Sequence, residues 1–200
     1  MSLPLKLIVG IGNPGEQYAR TRHNVGVWFV SRFAVQQGIT FSQQKKFFGR
    51  TATIMFDGQE IRLLLPDTYM NESGKSVAAL ANYYKITPEE ILIAHDELDL
   101  DTGLIRFKQG GGLAGHNGLR SITQRMGGTQ DYNRLRIGVG HPGDKSQVTS
   151  HVLGKVTASD ETTMLECIEE ALRVLPVAIG GDWENAMNQL NGIRIEPQKG

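Results

Sequence analysis

The segment LKLIVGIGNPGEQYARTRHN, residues 5–24, carries the pattern that decides the fold. An apolar run from Leu5 to Ile11 predicts a buried β-strand, and it leads directly into a glycine-rich loop. A buried strand, a glycine-rich turn and a helix form the repeating unit of α/β proteins. The loop, Gly10 to Gly15, also spells G-x-G-x-x-G, which binds the pyrophosphate of NAD in dinucleotide-binding proteins. The first question is whether this loop binds a nucleotide.

Two features that a dinucleotide site needs are missing from the residues after the loop. A helix should begin at the second glycine, Gly12, but Pro14 and Gly15 favour a turn. An acidic residue should follow about 20 residues later to bind the ribose. The chain has no Asp or Glu between Glu16 and Asp57. The NAD interpretation is therefore disfavoured, and we expect no cofactor.

The rest of the chain alternates strand and helix patterns. Asp57-Gly58 lies between two apolar runs and predicts a β-hairpin. Thr87-Pro88-Glu89-Glu90 is a capping box with proline at the first helical position, which predicts a short helical turn. The predicted strands are 5–11, 50–56, 60–66, 91–95, 103–108 and 133–139, and the predicted helices are 24–37, 74–85 and 116–126.

From about residue 157 onward the pattern is mostly helical. The first helix of this tail is predicted to begin at a Ser159 cap, and a second follows Asp182. Interleaved helices and strands with one hairpin predict a single α/β domain over residues 1–200. Its architecture is expected to be a twisted mixed β-sheet flanked by helices.

Basic and acidic residues are balanced in number but unevenly distributed. The chain has 21 Lys and Arg and 21 Asp and Glu. Residues 1–50 contain seven basic residues and one acid, and residues 103–136 contain six and one. This asymmetry permits a basic face that binds a polyanion, although ordinary solvated faces produce the same pattern.

The sequence contains few signals that indicate a cellular compartment or its redox state. The one cysteine, Cys167, cannot form an internal disulfide. Lys6 interrupts a short apolar start, so no signal peptide is predicted, and no stretch approaches the ~18 apolar residues of a membrane span. A soluble protein of the reducing cytoplasm, without a membrane partner, is the simplest expectation.

Two further motifs suggest phosphate or metal binding and fail on spacing or geometry. NESGKS ends like a phosphate-binding loop, but Tyr69 stands where that loop requires glycine. HDELDLD offers carboxylates to a hard cation, but alternate residues of an extended segment point in opposite directions. We therefore expect no metal site. The carboxylates in question are Asp96, Glu97, Asp99 and Asp101.

A set of polar residues remains in loops that follow the predicted strands, where α/β sheets place ligands. Together they offer a titrating base, a carboxylate to orient it and neutral amides to hold a polar substrate. This inventory suits hydrolysis by activated water, beside a basic flank. The residues are Asn13, His23-Asn24, Asn71, His95-Asp96 and His116-Asn117.

Several strings that contain these residues resemble, in order, the bacterial peptidyl-tRNA hydrolase family. The resemblance runs from Lys6 to about Lys155 and continues more loosely through the helical tail. It implies a monomeric cytoplasmic α/β enzyme that cleaves the ester between a peptide and the terminal ribose of tRNA. The matching strings are LIVGIGNPGEQYARTRHNVG, KKFFG, LLLPDTYMNESGKSV, HDELDLDTG, RFKQGGG, GHNGLRSI and RLRIGVGHPGDK followed by VLGK.

The resemblance also implies roles for individual residues. His23 matches the general base, Asp96 the carboxylate that orients it, and Asn13 a contact to the peptidyl part. Asn117 is placed to hold water or the developing oxyanion. Met70 and His116 would line the cleft, and Lys108 and Arg136 would bind the 5′-phosphate. The residues that match the family's contacts to the tRNA end are Tyr18, Tyr69, Asn71 and Asn117.

One stretch departs from the family pattern, which commonly reads GGGHGGHN. Here residues 110–117 read GGGLAGHN, so Leu113 replaces a histidine and Ala114 a glycine. His116 and Asn117 are retained, so we expect altered loop flexibility and retained activity. The alternative function is RNA binding without hydrolysis, as in plant relatives that act in splicing; the retained His23, Asp96 and asparagines disfavour it.

Overall fold

A seven-stranded mixed β-sheet organises the computed structural model, which describes residues 2–197. The predicted α/β architecture is confirmed. Met1 and residues 198–200, which the predicted domain included, lie outside the described residues. The strands are β1 (Leu7–Gly10), β2 (Ser42–Gln44), β3 (Gly49–Phe56), β4 (Gln59–Pro66), β5 (Ile91–Glu97), β6 (Ile105–Gln109) and β7 (Asn133–Gly138).

The strand order is β2-β3-β4-β1-β5-β7-β6. Strands β4, β1, β5 and β7 are mutually parallel, whereas β2, β3 and β6 extend the sheet by antiparallel pairing. The carboxyl ends of the parallel strands therefore meet at one edge, where open α/β sheets bind ligands.

Helices cover both faces of the sheet. Helices α1, α5 and α6 pack on one face through residues such as Phe29, Ile168 and Leu190, and α2 and α3 pack on the other through Val77 and Leu119. None of the described helices is both long and apolar enough to cross a membrane. The helices are α1 (Val25–Gln36), α2 (Ser73–Tyr84), α3 (Asn117–Arg125), α4 (Val148–Val152), α5 (Ala158–Ile179) and α6 (Trp183–Leu190).

One local prediction is wrong, and two elements were not predicted. The predicted cap of helix α5, Ser159, is already helical, because the helix begins at Ala158. The cap is Thr157, whose hydroxyl accepts a hydrogen bond from the Asp160 N–H at 3.2 Å. Strand β2 is polar and exposed, so no apolar pattern indicated it. Helix α4 is five residues long, too short for helical periodicity to register.

Glycines of the opening segment let backbones pack in direct contact. A Cβ atom on Gly10 would lie 2.4 Å from the carbonyl oxygen of Gly26, and one on Gly26 would lie 2.1 Å from that of Ala94. The start of α1 is thus held against β1 and β5 at a distance that only glycine permits. This contact fixes residues 22–24, a 3₁₀ turn directly before α1, above the carboxyl ends of the strands.

The outer edge of β6 is covered by the chain that follows α6. The Asn191 side chain accepts a hydrogen bond from the Phe107 N–H at 2.8 Å and donates one to the Phe107 carbonyl at 2.9 Å. Leu104 forms a β-bridge with Arg194 nearby. The side-chain amide therefore takes the place of a neighbouring strand at this point.

Candidate active site

Asp96 lies between two histidines at the carboxyl edge of the sheet. It is buried near the end of β5, and each of its carboxylate oxygens meets a different ring. Oδ2 is 2.9 Å from Nδ1 of His23, which sits in the 3₁₀ turn before α1. Oδ1 is 2.8 Å from Nε2 of His116, the residue that caps α3.

The hydrogen bonds around His116 determine its tautomer. The backbone N–H groups of Gly118 and Leu119 donate to Nδ1 of His116 at 3.1 and 3.3 Å. Nδ1 therefore carries a lone pair, and the proton of the neutral ring is on Nε2, from which it is donated to Asp96. This second partner of Asp96 was missed by sequence reasoning, which placed His116 only in the lining of the cleft.

His23 is oriented through one of its two ring nitrogens. Its Nδ1 faces an ionised carboxylate and donates to it, which leaves the lone pair of Nε2 free to accept a proton. Burial alone would raise the pKa of the Asp96 carboxyl, but His23 and His116 lower it well below its ordinary value through charge and hydrogen bonds. Asp96 is therefore an anion at neutral pH.

His95 is a third histidine in this cluster. It is buried, its Nδ1 donates to the carbonyl oxygen of Asp96 at 2.9 Å, and its ring meets that of His116 edge-on at 5.3 Å. Burial, followed by the charge of His116, lowers the pKa of His95 to about 3. A neutral imidazole thus forms the wall behind His116.

The carboxylates of HDELDLD do not converge on one point. Asp96 faces the two histidines, Glu97 accepts a hydrogen bond from Arg136, and Asp99 and Asp101 are exposed. His23, Asp96 and His116 do form a group whose possible metal-ligand atoms lie within 4.8 Å of one another, among residues 2–197. Its carboxylate–imidazole distances are those of direct hydrogen bonds.

Asn13 is held at both its backbone and its side chain. Its Oδ1 accepts a hydrogen bond from the Met70 N–H at 2.7 Å, which leaves the amide NH₂ group as a donor for a ligand. The buried Asn24 accepts from the Asn13 N–H and donates to the Asn13 carbonyl, both at 2.9 Å. Sequence reasoning noted Asn24 as a neighbour of His23 but assigned it no role.

Met70 connects the Asn13 loop to α3. A Cβ atom on Gly118 would lie 2.5 Å from Sδ of Met70 and 2.8 Å from Cδ1 of Ile11, so the start of α3 packs directly on both. Tyr69 and Asn71 flank Met70 and are exposed, as is Asn117; Tyr18 is half-buried. Their side chains are available to a ligand at this edge.

Lys108 and Arg136 lie on the adjacent strands β6 and β7. Arg136 pairs across the strands with Arg106, and Lys108 pairs with Arg134, so the four side chains share one face of the sheet. Within the described part of the chain, Arg136 is the member of this group with a carboxylate partner, Glu97, at 2.8 Å. The face is therefore basic, although Arg134 is buried and Arg136 is partly neutralised by Glu97.

The residues that depart from the family loop have opposite effects on it. Leu113 packs against the core between α2, α3 and the sheet. Ala114 has φ = 49°, a left-handed conformation that glycine adopts more readily. Leu113 therefore anchors the loop, whereas Ala114 strains it.

Comparison with known proteins identifies relatives over almost the whole chain. The family model described as peptidyl-tRNA hydrolase matches residues 7–198. The peptidyl-tRNA hydrolase of Alcanivorax borkumensis is 52% identical over 97% of this chain and 100% of that protein. The one from Psychromonas ingrahamii is 51% identical over 98% of this chain and 100% of that protein.

A solved structure shows the same fold at similar identity. The crystal structure of peptidyl-tRNA hydrolase from Acinetobacter baumannii superposes with a TM-score of 0.92 and 48% identity. The match covers 95% of this chain and 96% of that one. Agreement in sequence, in backbone and over this length makes the chain a member of the peptidyl-tRNA hydrolase family.

Proposed function

We propose that this protein hydrolyses the ester between an N-blocked aminoacyl or peptidyl group and the 3′-terminal ribose of tRNA. Family membership supports the substrate class. The observation that carries the mechanism is the hydrogen-bonded chain of His116, Asp96 and His23, which leaves one ring nitrogen of His23 free.

In the proposed reaction His23 acts as the general base. Nε2 of His23 takes a proton from water as the water oxygen attacks the ester carbonyl carbon, and the imidazolium that forms is stabilised by Asp96. The ribose oxygen then leaves with the electron pair of the ester bond and receives the proton from His23. The products are free tRNA and a peptide with a C-terminal carboxylic acid, which releases the second proton of the water to solvent and becomes a carboxylate.

Neutral amides would bind the polar parts of the substrate. The Asn13 NH₂ group, oriented by Met70, donates to the peptidyl part and distinguishes a blocked from a free amino group. Asn117 stabilises the charge that develops on the carbonyl oxygen. Tyr18, Tyr69 and Asn71 contact the tRNA end.

The basic face of β6 and β7 would bind phosphate. On this face Lys108 and Arg136 are the residues that bind the 5′-phosphate of the tRNA, whereas Arg134 is buried and donates to the carbonyls of Gly111 and Gly112. We further propose a cytoplasmic monomer, as the family resemblance implies; sedimentation of the purified protein would test its oligomeric state.

Incubation with N-blocked aminoacyl-tRNA, followed by measurement of released amino acid, tests the proposal. We expect rapid ester cleavage by the parent protein, slow cleavage of the same tRNA with a free amino group, and a rate loss on the order of 10²–10⁴ in His23→Ala. Tight tRNA binding without cleavage would instead support the RNA-binding alternative. Parent-like turnover by His23→Ala would refute the assigned base.

A further inference from the structure

We propose that Arg134 is a positioning residue that fixes the glycine-rich loop and thereby holds His116 in place against Asp96. The inference rests on the proposed function, in which His116 and Asn117 serve the reaction. Arg134 lies on β7, is buried, and does not itself reach the dyad of His23 and Asp96 by any described hydrogen bond.

The guanidinium group of Arg134 holds two successive carbonyls of the loop. Its Nη1 donates to the Gly112 carbonyl and its Nη2 to the Gly111 carbonyl. A planar fork with two donors matches two adjacent acceptors, which a lysine ammonium does not reproduce. Gly110 adds a third tie at the start of the loop, because its N–H donates to the Tyr132 carbonyl at 3.1 Å.

A short covalent and hydrogen-bonded path leads from this anchor to the site. Gly112 is followed by Leu113, whose side chain packs on the core and whose carbonyl accepts a hydrogen bond from the His116 N–H at 2.9 Å. His116 then caps α3 with Nδ1 and donates to Asp96 with Nε2. Displacement of Gly111 and Gly112 would therefore displace the ring of His116.

Stability alone does not require this arginine. Arg134 is buried, and this burial lowers its pKa. Its guanidinium lies 5.1 Å from the centre of the Tyr132 ring, but no carboxylate lies within 4.0 Å of it among residues 2–197. Its Nε has no hydrogen-bond partner in the same part of the chain. A buried cation that is only partly satisfied is usually less favourable than an apolar side chain of similar size. The guanidinium instead fixes the conformation of the loop through its two carbonyl contacts.

The substitutions Arg134→Met and Arg134→Lys test this role. Methionine has a similar side-chain volume but no hydrogen-bond donors, whereas lysine keeps the positive charge but lacks the two parallel N–H donors of the guanidinium. Turnover of an N-blocked aminoacyl ester of adenosine, which lacks the tRNA body, should fall by on the order of 10²-fold in Arg134→Met and less in Arg134→Lys. Affinity for deacylated tRNA should stay within about twofold of the parent, since a positioning role leaves the phosphate contacts in place.

A spectroscopic measurement separates positioning from general destabilisation. In ¹⁵N NMR of the imidazoles, the parent should show the Nε2-protonated tautomer of His116, and Arg134→Met should show a tautomer mixture. Arg106→Met is the matched control, because it removes a cation from the adjacent strand on the same face without touching the loop carbonyls. Its His116 signals and its turnover of the small ester should match those of the parent.

Two results would overturn the inference. One is a folded Arg134→Met protein with parent turnover and unchanged His116 signals; the other is a loss of tRNA affinity with unchanged turnover, which would make Arg134 a tRNA contact. If Arg134→Met does not fold, Arg134→Lys decides alone, and parent turnover in that variant refutes the role. If the parent cleaves no ester, the proposed function fails, whereas the His116 signals still test the positioning.

Discussion

Asp96 accepts one hydrogen bond on each carboxylate oxygen, but the two histidines that donate them are not equivalent. The His116 ring is fixed by two backbone N–H groups that occupy Nδ1. No backbone contact of this kind fixes the His23 ring among the described residues, so its tautomer depends on Asp96. The effect of changing the carboxylate should therefore fall on His23.

Asp96→Asn tests this asymmetry. An amide presents an oxygen that accepts and an NH₂ group that only donates, so its oxygen should accept from His116 and its NH₂ should face His23. His23 would then accept at Nδ1 and carry its proton on Nε2, where it cannot take a proton from water. We expect a rate loss on the order of 10²–10⁴ with the fold retained, measured by ester cleavage and by thermal unfolding.

A chelator separates this mechanism from metal catalysis. A chelator added to the parent should leave the rate unchanged, since proton transfer through His23 requires no ion. Strong inhibition by the chelator, reversed by a divalent cation, would show that His23, Asp96 and His116 hold a metal.

His95 should make stability depend on pH. Its pKa is about 3 in the folded protein, against about 6.5 in an unfolded chain. Between these values the unfolded state binds more protons, so the free energy of unfolding must fall as the pH falls. One such group contributes a slope of about 1.4 kcal/mol per pH unit.

His95→Asn should reduce that slope between pH 6 and pH 4.5, because the asparagine amide keeps the donor to the Asp96 carbonyl but does not titrate. Urea unfolding at several pH values measures it. The titratable groups that face His95, which are His116, Asp96 and Arg134, are present in both proteins. His141→Asn removes an exposed histidine and serves as the control; equal slopes for parent and His95→Asn would contradict the prediction.

At the scale of elements, the contact between α1 and the sheet determines where His23 lies. The Gly10–Gly26–Ala94 contact is backbone on backbone, so neither partner can yield by a side-chain rotation. The glycines that suggested a nucleotide loop therefore serve close packing, and Gly12 does the same for Asn24, whose Oδ1 would lie 2.8 Å from a Cβ on Gly12.

Gly26→Ala should push α1 away from β5 and lengthen the contact between His23 and Asp96. We expect the free energy of unfolding to fall by about 1–3 kcal/mol and the rate of ester cleavage to fall with it. Gly180→Ala is the control, because a Cβ there meets its nearest atoms at ordinary distances of 3.6 and 3.7 Å. That variant should be unchanged or up to about 1 kcal/mol more stable. Equal behaviour of the two variants would contradict the close-packing account.

The elements that could be predicted from the sequence are those with a strong apolar period. Six of the strands and helices α1, α2 and α3 lie within two residues of their predicted bounds; the strands are β1, β3, β4, β5, β6 and β7. Strand β2 could not be predicted, because its stability comes from pairing with β3 and not from its own polar residues. The site residues could be selected by type and position, but the bond from His116 to Asp96 joins residues 20 apart and depends on how β5 and α3 pack.

At the scale of the whole molecule, acidic side chains neutralise the basic residues beside α1 and α5, but some basic residues elsewhere in the described part of the chain have no such partner. Arg20 pairs with Glu161 at 2.7 Å, and Arg32 pairs with Glu169 at 2.7 Å, so the surface between α1 and α5 is balanced. Within residues 2–197, Lys108 has no carboxylate within 4.0 Å, and neither do Lys45 and Lys46. An incoming polyanion should therefore prefer the surfaces that carry these lysines.

Substitution of both Lys108 and Arg136 by alanine should weaken tRNA binding and its dependence on salt. Each phosphate contact contributes a slope of about −0.7 to −0.9 in a plot of log affinity against log salt concentration. The rate at saturating substrate should stay near that of the parent, because neither side chain is placed at the reacting carbonyl. Affinity for deacylated tRNA at several salt concentrations measures the effect, with Arg20→Ala/Arg32→Ala as the matched control. An unchanged slope would place the tRNA near Lys45 and Lys46 instead.

The side-chain amide of Asn191 has a consequence for how the protein behaves when crowded. A bare strand at the end of a sheet invites a second chain to add to it, which is a common start of aggregation. Here the backbone N–H and carbonyl of Phe107 are already occupied, and the opposite end of the sheet is a three-residue polar strand. Neither end offers a long apolar template, so folded copies can accumulate with little tendency to polymerise through their sheets.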